Sequence, residues 1–195
     1  MAPDAAVATG VGPPVSMQPN TSSRSPRGPG GLPWRRAAAY LLDLVLLFVL
    51  LAPLAFLVQR VSGYLPTTPR ATWHLQLLEF SLPTWVYFVL ADASARGATI
   101  GKRLFGLRVA TAAGGRVTWS RALSRTAIKL LPWELSHAAA FALGERFGEL
   151  TTLQAVLLGL ANLLAVVWLV LAFVSRGERS VHDYCCATRV VCDRR

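Results

Sequence analysis

Two long apolar runs dominate the pattern of hydrophobic and polar positions along this chain of 195 residues. Ala37 to Val58 reads AAAYLLDLVLLFVLLAPLAFLV and contains one charged residue, Asp43, whereas Leu150 to Val174 contains none. A helix of about 20 apolar residues crosses a bilayer core of about 30 Å. The pattern therefore predicts a multi-pass membrane protein, whose few buried ionisable groups are the first place to look for function.

Two further segments are less apolar. Trp73 to Ala91 predicts a second span that contains Pro83, and its polar side should face protein rather than lipid. Thr126 to Leu143 contains Pro132 and is compatible with a kinked span, a re-entrant segment or an interfacial helix. We expect an all-α membrane fold with a bundle of about four transmembrane helices, or three helices and a kinked or re-entrant segment. The ionisable residues of the two segments are His74, Glu79, Lys129, Glu134 and His137.

The polar connector between these two segments predicts short structured pieces. Residues 107–111 and 116–118 predict two strands around the turn AAGG, and residues 188–192 resemble a strand in the C-terminal tail. Thr99 is placed to cap a short helix over residues 101–105. A small cytoplasmic β element is therefore expected from the connector, with the tail strand as a further candidate. The helix after the connector should rest one basic face on the headgroups, formed by Arg121, Arg125 and Lys129.

Composition limits the domain organisation and the class of partner. Residues 1–33 hold 7 of the 12 prolines and predict a disordered cytoplasmic tail, residues 34–192 form one membrane domain, and residues 193–195 form a basic end. Hydrophobic residues make up 53% of the chain and charged residues 15%, which suits a membrane domain. The net charge is +10, and because the cations flank apolar spans, we expect contact with anionic lipid headgroups rather than with nucleic acid.

The distribution of cations predicts the topology. Residues 24–36, 96–125 and 176–195 carry 4, 7 and 5 cations, whereas residues 59–70 and 144–150 carry 2 and 1. The positive-inside rule assigns the three basic segments to the cytoplasm. We favour four crossings of the inner cell membrane, because three would put the basic C-terminal segment outside. Both termini are then cytoplasmic.

Three stretches of the chain resemble the RDD family of small membrane proteins. They are RRAAAYLLDLVLL at residues 35–47, GATIGKRLFGLRVATAAGGRVTWSRALSR at residues 97–125, and RSVHDYCCATRVV at residues 179–191. The family is usually described with three spans, and a role in the transport of unspecified ligands has been suggested for it. The family takes its name from an arginine and two aspartates, and the resemblance implies that these are Arg36, Asp43 and Asp183.

The carboxylate in the first span needs a partner from another element. An ionised Asp43 below the membrane surface costs several kcal/mol unless it is paired. Candidate cations in the connector and the tail are Lys102, Arg103, Arg176 and Arg179. Arg179 is also spaced to pair with Asp183 if that stretch is helical. We therefore hypothesise one polar cluster on the cytoplasmic side, formed by Arg36, Asp43, Lys102, Arg103 and Asp183.

Two functions fit these features. The first is a structural or binding component, a scaffold of the membrane, in which the polar cluster holds helices together. The alternative is a transporter subunit that exchanges a cation for protons and works as an oligomer, with ion-path residues Asp43, Glu79, Glu134 and His137. The sequence has no GxSxG, HExxH, P-loop or dinucleotide motif, and HxxCCxxxxxC near its end matches no zinc pattern. We therefore expect no enzymatic activity, no cofactor and no metal, and we expect anionic lipids, other membrane proteins or further copies of the chain as partners.

Overall fold

A computed structural model describes residues 31–144, 146–175 and 178–193, and these residues are mostly helical. The predicted N-terminal tail lies almost wholly outside the described residues, as do the last two residues of the chain. The first apolar run lies within α1 (Leu32–Ser62). This helix ends at Gly63, whose φ of 67° allows its N–H to bond to the carbonyl of Gln59. Glycine adopts this left-handed conformation without steric cost, so α1 stops there.

The second predicted span is a continuous helical segment. It consists of α2 (Pro69–Gln76), a π-helical turn (Leu77–Ser81) and α3 (Leu82–Ala93). The π-helical turn ends two residues before Pro83, which lacks the N–H of a regular helical hydrogen bond and whose ring crowds the preceding turn. The helical segment includes all of Trp73–Ala91 and extends beyond both of its ends.

The third and fourth segments are also helical. α5 (Trp119–His137) continues into a π-helical turn (Ala138–Ala142), so the segment Thr126 to Leu143 is helical up to its last residue. α6 (Thr152–Val174) begins with a capping box in which Thr151 and Gln154 satisfy each other's backbone N–H groups. The side-chain amide of Gln154 also donates to a carbonyl of the π-helical turn at 3.0 Å, which ties α6 to the end of α5.

Two short helix–strand units follow α3 and α6: α4 (Ile100–Leu104) with β1 (Leu107–Thr111), and α7 (Val181–Cys185) with β2 (Thr188–Cys192). The strands pair antiparallel, from Leu107 opposite Cys192 to Thr111 opposite Thr188. Thr99 caps α4 by accepting a backbone N–H, as the sequence predicts.

The tail strand is confirmed, whereas the hairpin between residues 107–111 and 116–118 is wrong. Residues 116–118 have no strand structure, and Thr118 instead caps α5 through its side chain. Val117 is buried in the core beside the sheet. The tail supplies the second strand instead, and Val190 of β2 joins the same core.

The buried apolar residues form two small clusters. The larger one lies where the sheet meets the helices and consists of Ala39, Ala93, Leu107, Val109, Val117, Ala122 and Val190, and the smaller one consists of Leu47, Phe88 and Leu130. The apolar stretches of α1 and α6 are only 17% and 6% buried within the chain, and both helices are long and apolar enough to cross a membrane. A soluble monomer rarely exposes so much contiguous apolar surface. The mostly helical fold with a small sheet agrees with the sequence, while the number of crossings stays a prediction.

Candidate functional site

Arg125 of α5 is buried, with an exposed fraction of 1%, and joins two carboxylates. Its Nε donates to Asp183 Oδ1 at 3.0 Å, and its Nη1 donates to Asp92 Oδ2. Asp183 belongs to α7, and Asp92 lies in the last turn of α3. The planar fork of one guanidinium therefore connects three elements, which a lysine ammonium could not do with the same geometry.

Asp183 is fully buried and accepts four hydrogen bonds. Its Oδ1 accepts from Arg125 and from the Thr188 hydroxyl, both at 3.0 Å. Its Oδ2 accepts from Arg36 Nη2 at 2.7 Å and from the N–H of Ser180 at 3.0 Å. Burial alone would raise the pKa of Asp183, but the charges of Arg125 and Arg36 lower it well below its usual range. Asp183 is therefore ionised at neutral pH.

Lys102 of α4 completes this arrangement. Its Nζ donates to Asp92 Oδ1 at 2.6 Å, so Asp92 is bound on both oxygens by cations. Burial lowers the pKa of Lys102, and the charge of Asp92 opposes that effect. We call the following five residues the charge network: Arg36, Asp92, Lys102, Arg125 and Asp183.

Asp43 of α1 lies outside the charge network, and its partners are neutral. Its Oδ1 accepts from the Tyr87 hydroxyl at 2.6 Å and from the N–H of Gly101 at 2.8 Å. Its Oδ2 accepts from the Thr99 hydroxyl at 2.6 Å. Where the sequence suggested a cation, the structure gives neutral donors from α3 and the start of α4. No hydrogen bond or ion pair joins Asp43 to a cation of the described residues, and the candidate Arg176 lies outside them.

Gly101 lets α4 approach α1 closely enough to bind Asp43. A Cβ at Gly101 would clash with the carbonyl oxygen of Ala39 and lie 2.9 Å from the Asp43 carboxylate. The backbone N–H reaches the carboxylate because there is no side chain in between. Arg103, which the sequence hypothesis placed in the same cluster, is exposed and donates to the carbonyl of Ala98 at 3.0 Å, apart from the charge network.

The residues considered as an ion path have separate partners. Glu79 accepts from Gln59 Nε2 of α1 at 2.9 Å. Glu134 accepts two bonds of 3.0 Å, one from a serine and one from a tryptophan of the second helical segment. His137 Nδ1 lies 2.8 Å from a carbonyl oxygen one turn earlier. In the part of the chain that the structure describes, no hydrogen bond or ion pair joins any two of Asp43, Glu79, Glu134 and His137.

The basic face predicted for α5 is only partly at the surface. Arg121 is exposed, but Arg125 and the Nζ atom of Lys129 are buried inside the protein. The expectation that this face rests on the membrane surface is therefore wrong for these two side chains, which lie inside the protein. Spacing by four residues places side chains on one face of a helix, but it does not determine what packs against that face.

A cavity of about 390 Å³ lies beside the charge network, between α1, α5 and α6. The Nζ atom of Lys129 lies 3.0 Å from the centroid of the Phe88 ring, and it has no hydrogen-bond partner among the described residues. His182 also lines the cavity, and its Nδ1 lies 2.9 Å from the Ser180 hydroxyl. Burial lowers the pKa of His182 well below its usual range, and the charge of Arg125 lowers it further. The imidazole is therefore neutral at neutral pH.

The sequence hypothesis missed three residues of this region: Asp92, Arg125 and Lys129. Asp92 is the first charged residue after the second apolar segment, and this position is the signal that could have identified it. Arg125 and Lys129 belong to a run of cations that has the same spacing as a surface face. Their burial could not be read from that spacing.

The comparisons with known proteins give a family match. The sequence model of the RDD family matches residues 31–187, a range that includes the whole charge network and Asp43. A search of curated proteins and a search of solved structures found no match.

Proposed function

Because the chain belongs to the RDD family, whose members are membrane-associated, we propose that it is a structural and binding component of the inner cell membrane. In this proposal the chain crosses the membrane four times with both termini in the cytoplasm. The charge network fixes the cytoplasmic ends of the helices, and the site serves assembly and binding rather than catalysis. Anionic lipids and neighbouring membrane proteins or copies of the chain are the proposed partners.

The positions of the charge network along the helices support four crossings. Arg36 lies in the second turn of α1, and Asp92 lies in the last turn of α3. Arg125 lies within the first two turns of α5, and Asp183 follows the end of α6. Since these residues contact one another, the two helix starts and the two helix ends meet on one side, as in an up-and-down four-helix bundle. The helical segments 69–93 and 119–142 are each about 36 Å long at about 1.5 Å per residue, enough for a bilayer core of about 30 Å.

The charge distribution supports the cytoplasmic side for these helix ends. Residues 96–125, which follow α3, and residues 176–195, which follow α6, carry 7 and 5 cations, whereas residues 59–70 and 144–150 at the opposite ends carry 2 and 1. Basic loops remain preferentially in the cytoplasm. The small sheet then lies on the cytoplasmic side, next to the charge network.

The contacts of Arg125 are the observation that carries the structural role. Asp92 and Asp183 are both 0% exposed and bound by fixed cations of the same chain. A carboxylate that carries a transported cation must exchange that cation with water, and these two have no such access. Both oxygens of Asp43 are occupied by neutral donors. The alternative of cation–proton exchange therefore has less support than the structural role.

Ion flux separates the two functions. The full chain, reconstituted in liposomes with an imposed proton gradient, is expected to dissipate the gradient no faster than protein-free liposomes after addition of Na⁺ or K⁺. Asp43→Asn tests the ion path, and Asp193→Asn is the matched control because Asp193 is 48% exposed. Flux in the unaltered chain that Asp43→Asn abolishes and Asp193→Asn preserves would contradict the structural proposal.

Cysteine labelling tests the topology. Cys185 is exposed and Cys186 is buried, so single-cysteine chains that retain one or the other form a matched pair. With a membrane-impermeant maleimide, we expect Cys185 to react in inside-out vesicles and to stay unlabelled in intact cells. Cys186 should react slowly in both, since burial also raises its thiol pKa. Labelling of Cys185 in intact cells would refute a cytoplasmic C terminus.

A further inference from the structure

We propose that the cavity between α1, α5 and α6 binds a phospholipid with an anionic headgroup, and that Lys129 receives the headgroup phosphate. This inference rests on the proposed membrane crossing of these three helices. It assigns the anionic lipid, already one of the proposed partners, to one groove of the protein and to one residue.

The cavity is a groove bounded by one face of each helix. On α6 its lining residues run from Ala161 to Phe173 at helical spacing, which spans about 18 Å at about 1.5 Å per residue. On α5 they run from Arg125 to Ser136 at the same spacing. Trp34 of α1 contacts Phe173 edge-on, with ring centroids 4.9 Å apart, where the groove reaches the cytoplasmic end of α6. The groove is therefore elongated along the helices, as a lipid chain requires.

The charged side chains that line the groove are mostly cations, which favours an anionic ligand. Among the residues that the structure describes, four cations line it, Arg36, Lys102, Arg125 and Lys129, with one carboxylate, Asp43. Among the described residues, the first three cations form ion pairs with Asp92 and Asp183 of the charge network. Asp43 is bound by neutral donors.

Lys129 is the cation of the groove whose ammonium group lacks an acceptor. Its buried Nζ has no hydrogen-bond partner among the described residues. It lies 3.0 Å from the ring centroid of Phe88 and 5.8 Å from that of Tyr40. A buried ammonium without an acceptor is costly. An anionic group in the groove would remove that cost, and a phosphate oxygen is a strong acceptor for a lysine ammonium.

Most of the remaining lining is apolar, which favours a lipid over a free anion. α6 contributes mainly small and aromatic residues to the groove: Ala161, Ala165, Trp168, Leu169, Ala172 and Phe173. The apolar stretch of α6 is 6% buried, so its surface is available to lipid along its length. An inorganic phosphate would leave this apolar part of the groove unfilled, whereas an acyl chain would cover it.

Lipid binding to the purified full chain tests the proposal. In a neutral detergent, fluorescent phosphatidylglycerol and phosphatidylcholine with the same acyl chains are titrated into the unaltered chain, Lys129→Gln, and the control Arg121→Gln. We expect the unaltered chain and Arg121→Gln, in which the exposed cation of the same helix is removed, to prefer phosphatidylglycerol by about tenfold or more. Lys129→Gln should lose that preference, and Lys129→Arg should retain it.

Three results would overturn the proposal. The first is an undiminished preference in Lys129→Gln. The second is equal competition by inorganic phosphate at millimolar concentration, which would indicate a free-anion site. The third is a rise in thermal stability upon addition of phosphatidylglycerol that is as large in Lys129→Gln as in the unaltered chain, which would leave Lys129 with a packing role against Phe88 only.

A second variant tests the groove without a change at Lys129, so the result does not depend on whether the Lys129 variants fold. It is also independent of the function proposed above. Ala165→Phe fills the apolar part of the groove and leaves Lys129 in place, so it should also weaken phosphatidylglycerol binding, and retained binding would refute the lipid groove. The lipid titration needs no flux measurement. Failure of the structural role in the flux assay and failure of lipid binding in detergent are therefore separate results.

Discussion

Replacement of Arg125 by leucine tests whether the charge network holds the helix ends together. The substitution removes one cation from two buried carboxylates, and removal of one partner from a buried ion pair costs about 3–5 kcal/mol. We expect the lower end of this range, because neither carboxylate is left without donors. Asp183 retains Arg36, Ser180 and Thr188, and Asp92 retains Lys102.

Arg125→Lys should have an intermediate effect. An ammonium group cannot occupy both arms of the guanidinium fork, so one charge-assisted hydrogen bond is lost, which costs about 1.5–3 kcal/mol. Arg121→Leu is the matched control, since Arg121 lies one turn earlier on α5 and is exposed. This control should change stability by no more than about 0.5 kcal/mol.

The free energy of unfolding can be measured by titration with a denaturing detergent in mixed micelles, followed through tryptophan fluorescence. Folded yield after size-exclusion chromatography provides a second readout. If Arg125→Leu unfolds at the same midpoint as Arg121→Leu, the charge network contributes nothing to assembly and the reasoning is refuted. The same conclusion follows if Arg125→Lys is as destabilised as Arg125→Leu, because the two-armed geometry would then not matter.

Three further predictions use the same unfolding measurement. Gly101→Ala should destabilise the chain, because a methyl group there would clash with the backbone of α1. Gly159→Ala is the control and should be nearly neutral, because the space around Gly159 is open. Equal unfolding midpoints of the two variants would contradict the close approach of α4 to α1. Tyr87→Phe removes a donor to the Asp43 carboxylate and should cost about 1–3 kcal/mol, and an unchanged midpoint would exclude that bond. His182 is neutral when folded and its pKa is lowered, so the unfolded chain binds the proton first and stability should fall as the pH drops below about 6.5. His182→Asn should flatten this dependence, and a dependence of the same size in that variant would assign it to another group.

The sequence was sufficient to predict those features of the fold that depend on a residue and its near neighbours in the chain. The two apolar runs predict α1 and α6 because a bilayer core requires about 20 apolar residues in one helix. The cap at Thr99 follows from the preference of a threonine hydroxyl for the free N–H groups of a helix start. The strand in the tail was visible from its β-branched residues, but its partner was not.

The pairing of charges depended on the tertiary structure. The sequence hypothesis joined Arg36, Asp43, Lys102, Arg103 and Asp183 in one polar cluster. Arg36, Lys102 and Asp183 belong to the charge network, whereas Arg103 is exposed and lies apart from it. The sequence did not indicate that Asp43 would be bound by neutral donors. That outcome depends on Gly101, which has no side chain, so that its backbone N–H reaches the carboxylate of Asp43.

By itself, the sequence determined which segments avoid water and which side chains carry charge, because both are properties of residues and their near neighbours. Only the tertiary structure decided that Arg125 bridges two carboxylates while Lys129, one turn later, has no acceptor among the described residues. The two residues are four positions apart, so both lie on the same face of α5. Their environments differ because α3 and α7, which are distant in sequence, supply carboxylates at one position and an aromatic ring at the other.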